Sequence, residues 1–383
     1  MMRVAFKMLM QDTAKYLGLI LGIVFATVLI AQQAGMAWSV ILMSVNATTS
    51  KTEVDIWVMK PNVEFVDTPE SMAEVCLSRV LSVQGVQWAV PYYTGAGMLR
   101  SVDGLFKSVS INGVDDYTLT GAPSKDQMVM GNVQDLAQPD SVLVDYIGYR
   151  KLYPKAEPKL GGEFEIGQRR CTIVGIYKSK ASFSGLPMIV TRRSVAVALA
   201  RETLNSMTFI LVKAKPGIDH RELADRISSE TQLRALSRDN FVEMNINWMI
   251  KNSGIIENFG ITVAMGLVVG IVIVGQTFYM FSVENRKQFA ALKAIGVSNS
   301  VILQMLLAQA IFVAVIGYAI GIGICSALFY IMNLSPDSSL VGLFLPDTVA
   351  LATAVIVIVM VILSSVVSAW KVLTVDPALV FRG

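Results

Sequence analysis

No Asp, Glu, Lys or Arg falls between Lys15 and Lys51, between Glu257 and Glu284, between Lys293 and Asp337, or between Asp347 and Lys371. The hydrocarbon core of a bilayer needs roughly 20 apolar residues in helical form, and each interval is long enough. The pattern predicts four membrane-spanning helices, near Leu17–Met43, Ile261–Phe281, Val301–Met332 and Thr348–Trp370. From Lys51 to Glu257, charges, prolines and turn residues recur every few positions. That stretch predicts one water-exposed domain of ordinary size.

Inside this domain the periodicity changes twice. Val54, Ile56 and Val58 alternate onto one face of a strand; Thr68 and Pro69 then predict a helix start, with Met72, Val75, Val80 and Leu81 turned inward. "GVQWAVPYY" reads as the next strand. Near the far end, "MTFILVKAKPG" predicts a strand, "DHRELADRISSE" a helix with Asp219 and Glu222 at capping-box spacing, and "LRALS" a short return strand. Between the two strand–helix–strand units, short β runs such as "KSVSINGV", "DSVLVDYI" and "LPMIVT" predict an inserted β-rich lobe. The expected fold class is therefore an α-helical membrane protein with four transmembrane helices and a large extracytoplasmic α/β domain. Its core is expected at residues 51–94 and 206–245, with the inserted lobe at 95–205.

Composition agrees with this division. Hydrophobic residues make up 54% and charged residues 16%, against about a quarter charged in soluble domains. Lys and Arg are retained on the cytoplasmic side in short flanks. Arg3, Lys7 and Lys15 precede the first span, Arg286, Lys287 and Lys293 lie between the second and third, and Lys371 and Arg382 follow the fourth. The expected topology puts both termini and loop 284–300 in the cytoplasm, with residues 46–250 and loop 333–347 outside. A cleaved signal would also suit the basic start. The length of the first run, and Met2, Phe6, Leu9 and Met10 on one side of residues 1–16, favour a retained interfacial helix instead.

No phosphate-binding G-x-x-x-x-G-K-[ST] loop occurs, so the chain is expected to be non-catalytic and to hold no cofactor. Any ATP and Mg would sit in a partner. His220 is the one histidine, read as a surface residue, and the acidic residues Asp115, Asp116, Glu163 and Glu165 are read as solvated surface. Cys76 and Cys171 could pair outside the membrane, whereas Cys325 reads as apolar filler. Gln32, Gln33, Gln276, Gln304 and Gln309 in the spans suit bonds between helices better than a substrate path. Transporters driven by ions use ionisable groups at membrane depth, and these spans carry none. Three G-x-x-x-G pairs, Gly18/Gly22, Gly266/Gly270 and Gly317/Gly321, mark faces for helix packing or for a homodimer.

One polar stretch interrupts the apolar half: "VENRKQFAALKAIGVSNSVI", residues 283–302. Good helix formers run from Glu284 to Ile295, Phe289, Leu292 and Gly296 share a side, and Gly296 and Ser298 stop one helix and start the next. The stretch resembles the E-R-x-x-E-I-G-x-L-K-A-I-G-A segment of MacB/FtsX-type ABC transporter permeases through Glu284, Arg286, Leu292, Lys293, Ala294, Ile295 and Gly296. The ending is similar to that family's D-P-A-x-x-x-R through Asp376, Pro377, Ala378 and Arg382, and the external segments look most like the DevC branch of exporters. Gln288, Phe289 and Ala290 depart from the family's acidic residue, isoleucine and glycine.

The resemblance implies a coupling helix at 284–300 that docks on a separate ABC ATPase. The coupling set would be Glu284, Arg286, Lys287, Phe289, Leu292, Lys293 and Gly296. It implies stalks continuing spans one and two at 17–45 and 251–283, a dimer with two ATPase subunits, a periplasmic adaptor and a TolC-like outer-membrane channel. Lipid is the remaining partner, and no nucleic acid is expected. An FtsX-like regulator of cell-wall hydrolases and a membrane-anchored sensor are the alternative functions.

Overall fold

The computed structural model describes residues 13–100, 104–153, 157–179, 185–200, 206–334 and 342–373. The expected interfacial helix at 1–16 and the terminal Asp376, Pro377, Ala378 and Arg382 lie largely or wholly outside them. The chain forms two compact units: one from the residues up to Ser39, Ile255–Met332 and Leu343 onward, the other from Val40–Gly254 and Asn333–Gly342.

In chain order, α1 (Thr13–Ser44) and a single turn α2 (Asn46–Thr49) lead to β1 (Ile56–Met59), α3 (Val75–Leu81), β2 (Val86–Arg100) and β3 (Phe106–Val114). Next come β4 (Met128–Gly131), β5 (Ser141–Asp145), α4 (Tyr146–Leu152), β6 (Glu163–Ile166), β7 (Arg169–Tyr177), β8 (Met188–Arg192) and α5 (Arg193–Leu199). The second half of the unit is β9 (Phe209–Ala214), α6 (His220–Thr231), β10 (Arg234–Ser237) and α7 (Arg238–Asn252). The last helices are α8 (Ile255–Glu284), α9 (Arg286–Ala294), α10 (Asn299–Leu334) and α11 (Asp347–Leu373).

The strands of the second unit form one path, β10-β1-β9-β2-β3-β8-β5-β7-β4, with β6 paired to β2 and β7. Strand β2 is the shared element. Its first half, to Tyr92, pairs with β9, and its second half, from Tyr93, pairs with β3. The expected boundary at residue 95 thus falls within a continuous strand. Two cores flank it. Ile56, Val58, Val80, Ile210, Val212, Leu223 and Ile227 bury one face under α3 and α6. Val109, Ile111, Val142, Val144, Ile173, Ile189 and Ala196 make the other. Successive side chains of a strand point to opposite faces. Trp57 therefore faces away from Ile56 and Val58 and stacks on Phe241 of α7, with ring centres 5.0 Å apart.

Several local expectations change. Helix α3 begins at Val75 because the chain before it is extended, with Met72 bridged to Met207, and Thr68 Oγ1 donates to the Phe65 carbonyl. Met72 and Val80 are buried, but Val75 and Leu81 are exposed. Asp115 is buried, where its carboxylate accepts from Tyr117 N, Thr118 N and Thr118 Oγ1, and Asp116 accepts from Ser194 at the start of α5. These two are turn and helix caps. Asp219 caps α6 as expected, accepting from Arg221 N and Glu222 N at 2.8 and 3.0 Å. His220 is exposed and lies 3.8 Å from Asp55. Cys76 and Cys171 are free thiols belonging to different cores. The continuous second stalk is also corrected: α7 ends at Asn252, and Gly254, at φ +62°, separates it from α8.

In the first unit, one core takes Leu19, Ile23 and Ala26 from α1, Val274 and Phe278 from α8, Leu306 and Val313 from α10, and Val357 and Met360 from α11. The glycines explain how α1 sits at its centre. A Cβ on Gly317 would meet Ile23 at 2.6 Å, on Gly321 Thr27 at 2.7 Å, on Gly22 Ile273 at 2.7 Å, and on Gly270 Ala26 at 2.9 Å. Gly266 packs on Leu29 and Ile30, while nothing lies within 4 Å of Gly18. Five of the six glycine positions therefore serve helix packing within one chain, the first of the two roles expected for them, and Gly18 faces open space. Hydroxyls cross-link the helices: Tyr318 donates to Ala350 O, Ser364 to Ile271 O and Ser368 to Gly275 O. Gln276 and Gln304 are exposed, and Gln309 is buried.

Asp145 ends β5 and caps α4, with Gly148 N donating to one carboxylate oxygen at 2.9 Å and Met188 N to the other at 2.6 Å. Burial pushes its carboxyl up to about 6 in spite of these bonds. The folded protein then binds more protons than the unfolded chain between about pH 4 and 6, so this group's contribution is full below that window and is lost as pH rises through it. Asp145→Asn removes the titration. The stability difference between wild type and variant, from unfolding midpoints, should favour wild type more at pH 4 than at pH 7. An offset independent of pH contradicts this.

Candidate functional site

The polar stretch between α8 and α10 folds as a short helix held at both ends. Asn285 separates α8 from α9: its N–H donates to Phe281 O at 3.1 Å, its side chain to the same carbonyl at 2.8 Å, and its own carbonyl accepts from Phe289 N. At the other end Gly296 takes φ +91°. Gly296 N donates to Lys293 O at 3.0 Å and Val297 N to Leu292 O at 3.1 Å. This is the paired bonding of a Schellman stop, which needs a left-handed residue and so favours glycine. Val297 and Leu292 pack together on the bundle core, supplying the apolar contact that accompanies such a stop.

The orientation of α9 decides which residues can meet a partner. Phe289 is 1% exposed and Ala290 fully buried; Phe289 belongs to the core built by α1, α8, α10 and α11. Leu292 is half-buried on the same core. The opposite side shows Lys287, Gln288, Ala291, Ala294 and Ile295, the last 75% exposed. Their spacing of four, three and one residues from Lys287 through Ala291 and Ala294 makes a single stripe.

The coupling set expected from sequence is thus divided. Lys287 lies on the exposed stripe, and Glu284 is exposed at the end of α8. Lys293 is half-buried with an interaction of its own. Phe289 and Leu292 are anchors turned inward, and Gly296 is the stop. The side chain of Arg286 is outside the described residues. Ile295 was missed as a contact candidate. Its signal was available, since it follows Lys287 by eight residues and returns to the same side of a 3.6-residue helix.

Comparison with known proteins bears on both units. The MacB-like periplasmic core domain model matches residues 16–230, more than half of the chain, and the FtsX-like permease C-terminal model matches residues 260–377. The chain belongs to the MacB/FtsX-type ABC transporter permeases. An uncharacterized ABC transporter permease of Mycobacterium bovis is 26% identical over 339 residues, which cover 88% of this permease and 86% of that one. A macrolide export ATP-binding/permease protein, MacB 1 of Yersinia pestis, is 24% identical over 363 residues, 89% of this permease but 54% of the relative. The periplasmic region of MacB from Actinobacillus actinomycetemcomitans gives a TM-score of 0.38 at 14% identity, covering 55% of this permease and 98% of that chain. The permease has four helices long and apolar enough to cross a membrane, Tyr16–Ser44, Ile255–Glu284, Asn299–Leu334 and Asp347–Val366. It is a membrane protein with a large extracytoplasmic domain.

Truncating Phe289 to Ala should cost about 3–5 kcal/mol through the lost ring and the cavity it leaves. Gly296→Ala should cost about 1 kcal/mol, because the left-handed stop disfavours a Cβ. Thermal unfolding of the purified permease should show a much larger drop for Phe289→Ala. Equal, small drops would mean that the ring does not anchor the helix.

Proposed function

We propose that this permease is the non-catalytic membrane subunit of an ATP-driven exporter of the DevC-like branch, working as a homodimer with two separate ABC ATPase subunits that bind ATP and Mg. The observation that carries the reading is the division of α9: an exposed stripe, Lys287, Gln288, Ala291, Ala294 and Ile295, on a helix whose other side is locked into the four-helix core. A partner that pushes on this stripe pushes on all four spans at once. Sidedness rests on the basic flanks, Arg3, Lys7 and Lys15 before the first span and Lys371 after the fourth, which support a cytoplasmic α9 and cytoplasmic termini in an inner-membrane protein. The Yersinia relative's name joins ATP binding and permease in one protein, which supports pairing this chain with an ATPase.

Export would proceed outside the bilayer. ATP-driven approach of the two ATPases moves the α9 helices, the spans follow, and the external domains change their separation, drawing substrate from the periplasm or outer leaflet. A periplasmic adaptor and a TolC-like channel would complete the path. The support for an adaptor is an exposed apolar cluster beside the β2–β3 hairpin, Met98, Leu105 and Phe106, 53%, 63% and 67% exposed. Exposed apolar clusters of this kind suit protein contacts.

The pair Lys287→Glu and Ile295→Asp leaves the anchors intact and reverses the stripe's chemistry. Copurification with the cognate ATPase should be lost, and substrate should no longer stimulate ATP hydrolysis, while the unfolding midpoint stays near wild type. Unchanged association and stimulation would remove the coupling role. Separately, Phe106→Asp should reduce chemical crosslinking to the adaptor with no change in ATPase binding; undiminished crosslinking would exclude this face.

A further inference from the structure

Lys51 follows α2 and carries a cation into the second unit. Its ammonium donates to the Gly121 carbonyl at 2.6 Å and lies 4.6 Å from the centre of the Tyr92 ring. No carboxylate pairs with it among the described residues, and burial lowers its pKa to about 8. Lys51 is half-buried, and an ammonium drawn partly out of water against one carbonyl and a ring face, with no counter-charge, is incompletely compensated.

The space beside it is built from donors. A cavity of about 60 Å³ is lined by Lys51, Asn112, Gln127 and Tyr177 among others, with no acidic residue in its wall among the described residues. Both amides have their oxygens occupied. The hydroxyls of Tyr92 and Thr94 donate to Asn112 Oδ1, each at 3.0 Å, and Ser124 N donates to Gln127 Oε1 at 2.9 Å. Their NH₂ groups are what remains to offer. An adjoining cavity of about 30 Å³ shares Asn46, Tyr92, Asn112 and Met188, and Trp57 is also in its wall; the buried Trp57 Nε1 has no acceptor among the described residues. Asp67 lines this second space and a further one but not the first, and burial alone accounts for the shifts of both Asp67 and Lys51. A water needs about 10–15 Å³ of such space, so the larger cavity takes a halide with one or two waters.

We propose that Lys51, Asn112 and Gln127 bind a small monovalent anion of halide size, which neutralises the half-buried ammonium. The ion braces the segment after α2 against β3 and the loop that precedes β4.

The test uses the full-length permease in detergent micelles at fixed ionic strength. Sodium gluconate, too large for the cavity, is the baseline, replaced in separate arms by sodium chloride, bromide or formate. Saturating chloride or bromide should raise the unfolding midpoint by about 2–4 °C. Lys51→Met, which keeps the length and removes the charge, should abolish the rise, and Asn112→Asp, which puts an anion in the wall, should abolish it too. Crystals grown in bromide should show an anomalous peak beside Lys51 Nζ, a measurement that stands if either variant folds poorly. Four results overturn the proposal: no rise in the wild type, the same rise in Lys51→Met, a rise with formate and not with halides, or only water density beside Lys51.

Discussion

Phe289 is buried in the one core to which all four long helices contribute, and this burial sets how the polar stretch is held. A short helix of nine residues has little stability of its own in water. Anchored by Phe289 and Ala290, closed by the Gly296 stop and continued from α8 through Asn285, α9 has no independent position to adopt. Its exposed stripe stands on the side turned away from that core. The bundle is equally constrained, because glycines on α8 and α10 let α1 approach to contact, with side chains of α1 occupying the space a Cβ would need.

The other unit achieves stiffness differently. Strand β2 runs through both cores without a break, so the part built from β1, β9 and β10 and the part built from β3, β5, β7 and β8 share backbone hydrogen bonds rather than a linker. Buried and half-buried polar groups then fasten the connections. Asp145 holds α4 and the start of β8, Asp55 binds Lys213 at 2.9 Å and Ala214 N at 3.0 Å, and Lys51 ties the chain after α2 to Gly121. Each stands where the chain passes between elements, so charge here fixes connections and apolar contact supplies the bulk stability.

Most of the architecture is legible in the sequence because hydrocarbon excludes charge so strongly. Four charge-free intervals correspond to four long helices, and turn chemistry located α6, β10 and the α9 stop. What was not legible depends on partners distant in sequence. Thr68 and Pro69 satisfy every local rule for a helix start, yet the bridge between Met72 and Met207 holds that segment extended. Glycine spacing announces a close approach without naming the neighbour, and the neighbours proved to be Ile23, Thr27 and Ala26 of the same chain. Phe289 and Leu292 share a side in any helical reading; only the folded bundle shows that this side faces inward. Lys51 looks like an ordinary boundary charge until Tyr92, Asn112 and Gln127 come together around it.

The rigid attachment of α9 is open to direct measurement by spin labels at Gln288 and Gln304, both exposed, one on α9 and one on α10. The distance distribution should be single and narrow, and should stay the same when ATP and the cognate ATPase are added, since anchor and span move as one body. A second population, or a shift with nucleotide larger than the width of the distribution, would show that α9 swings free of the bundle and would contradict the account.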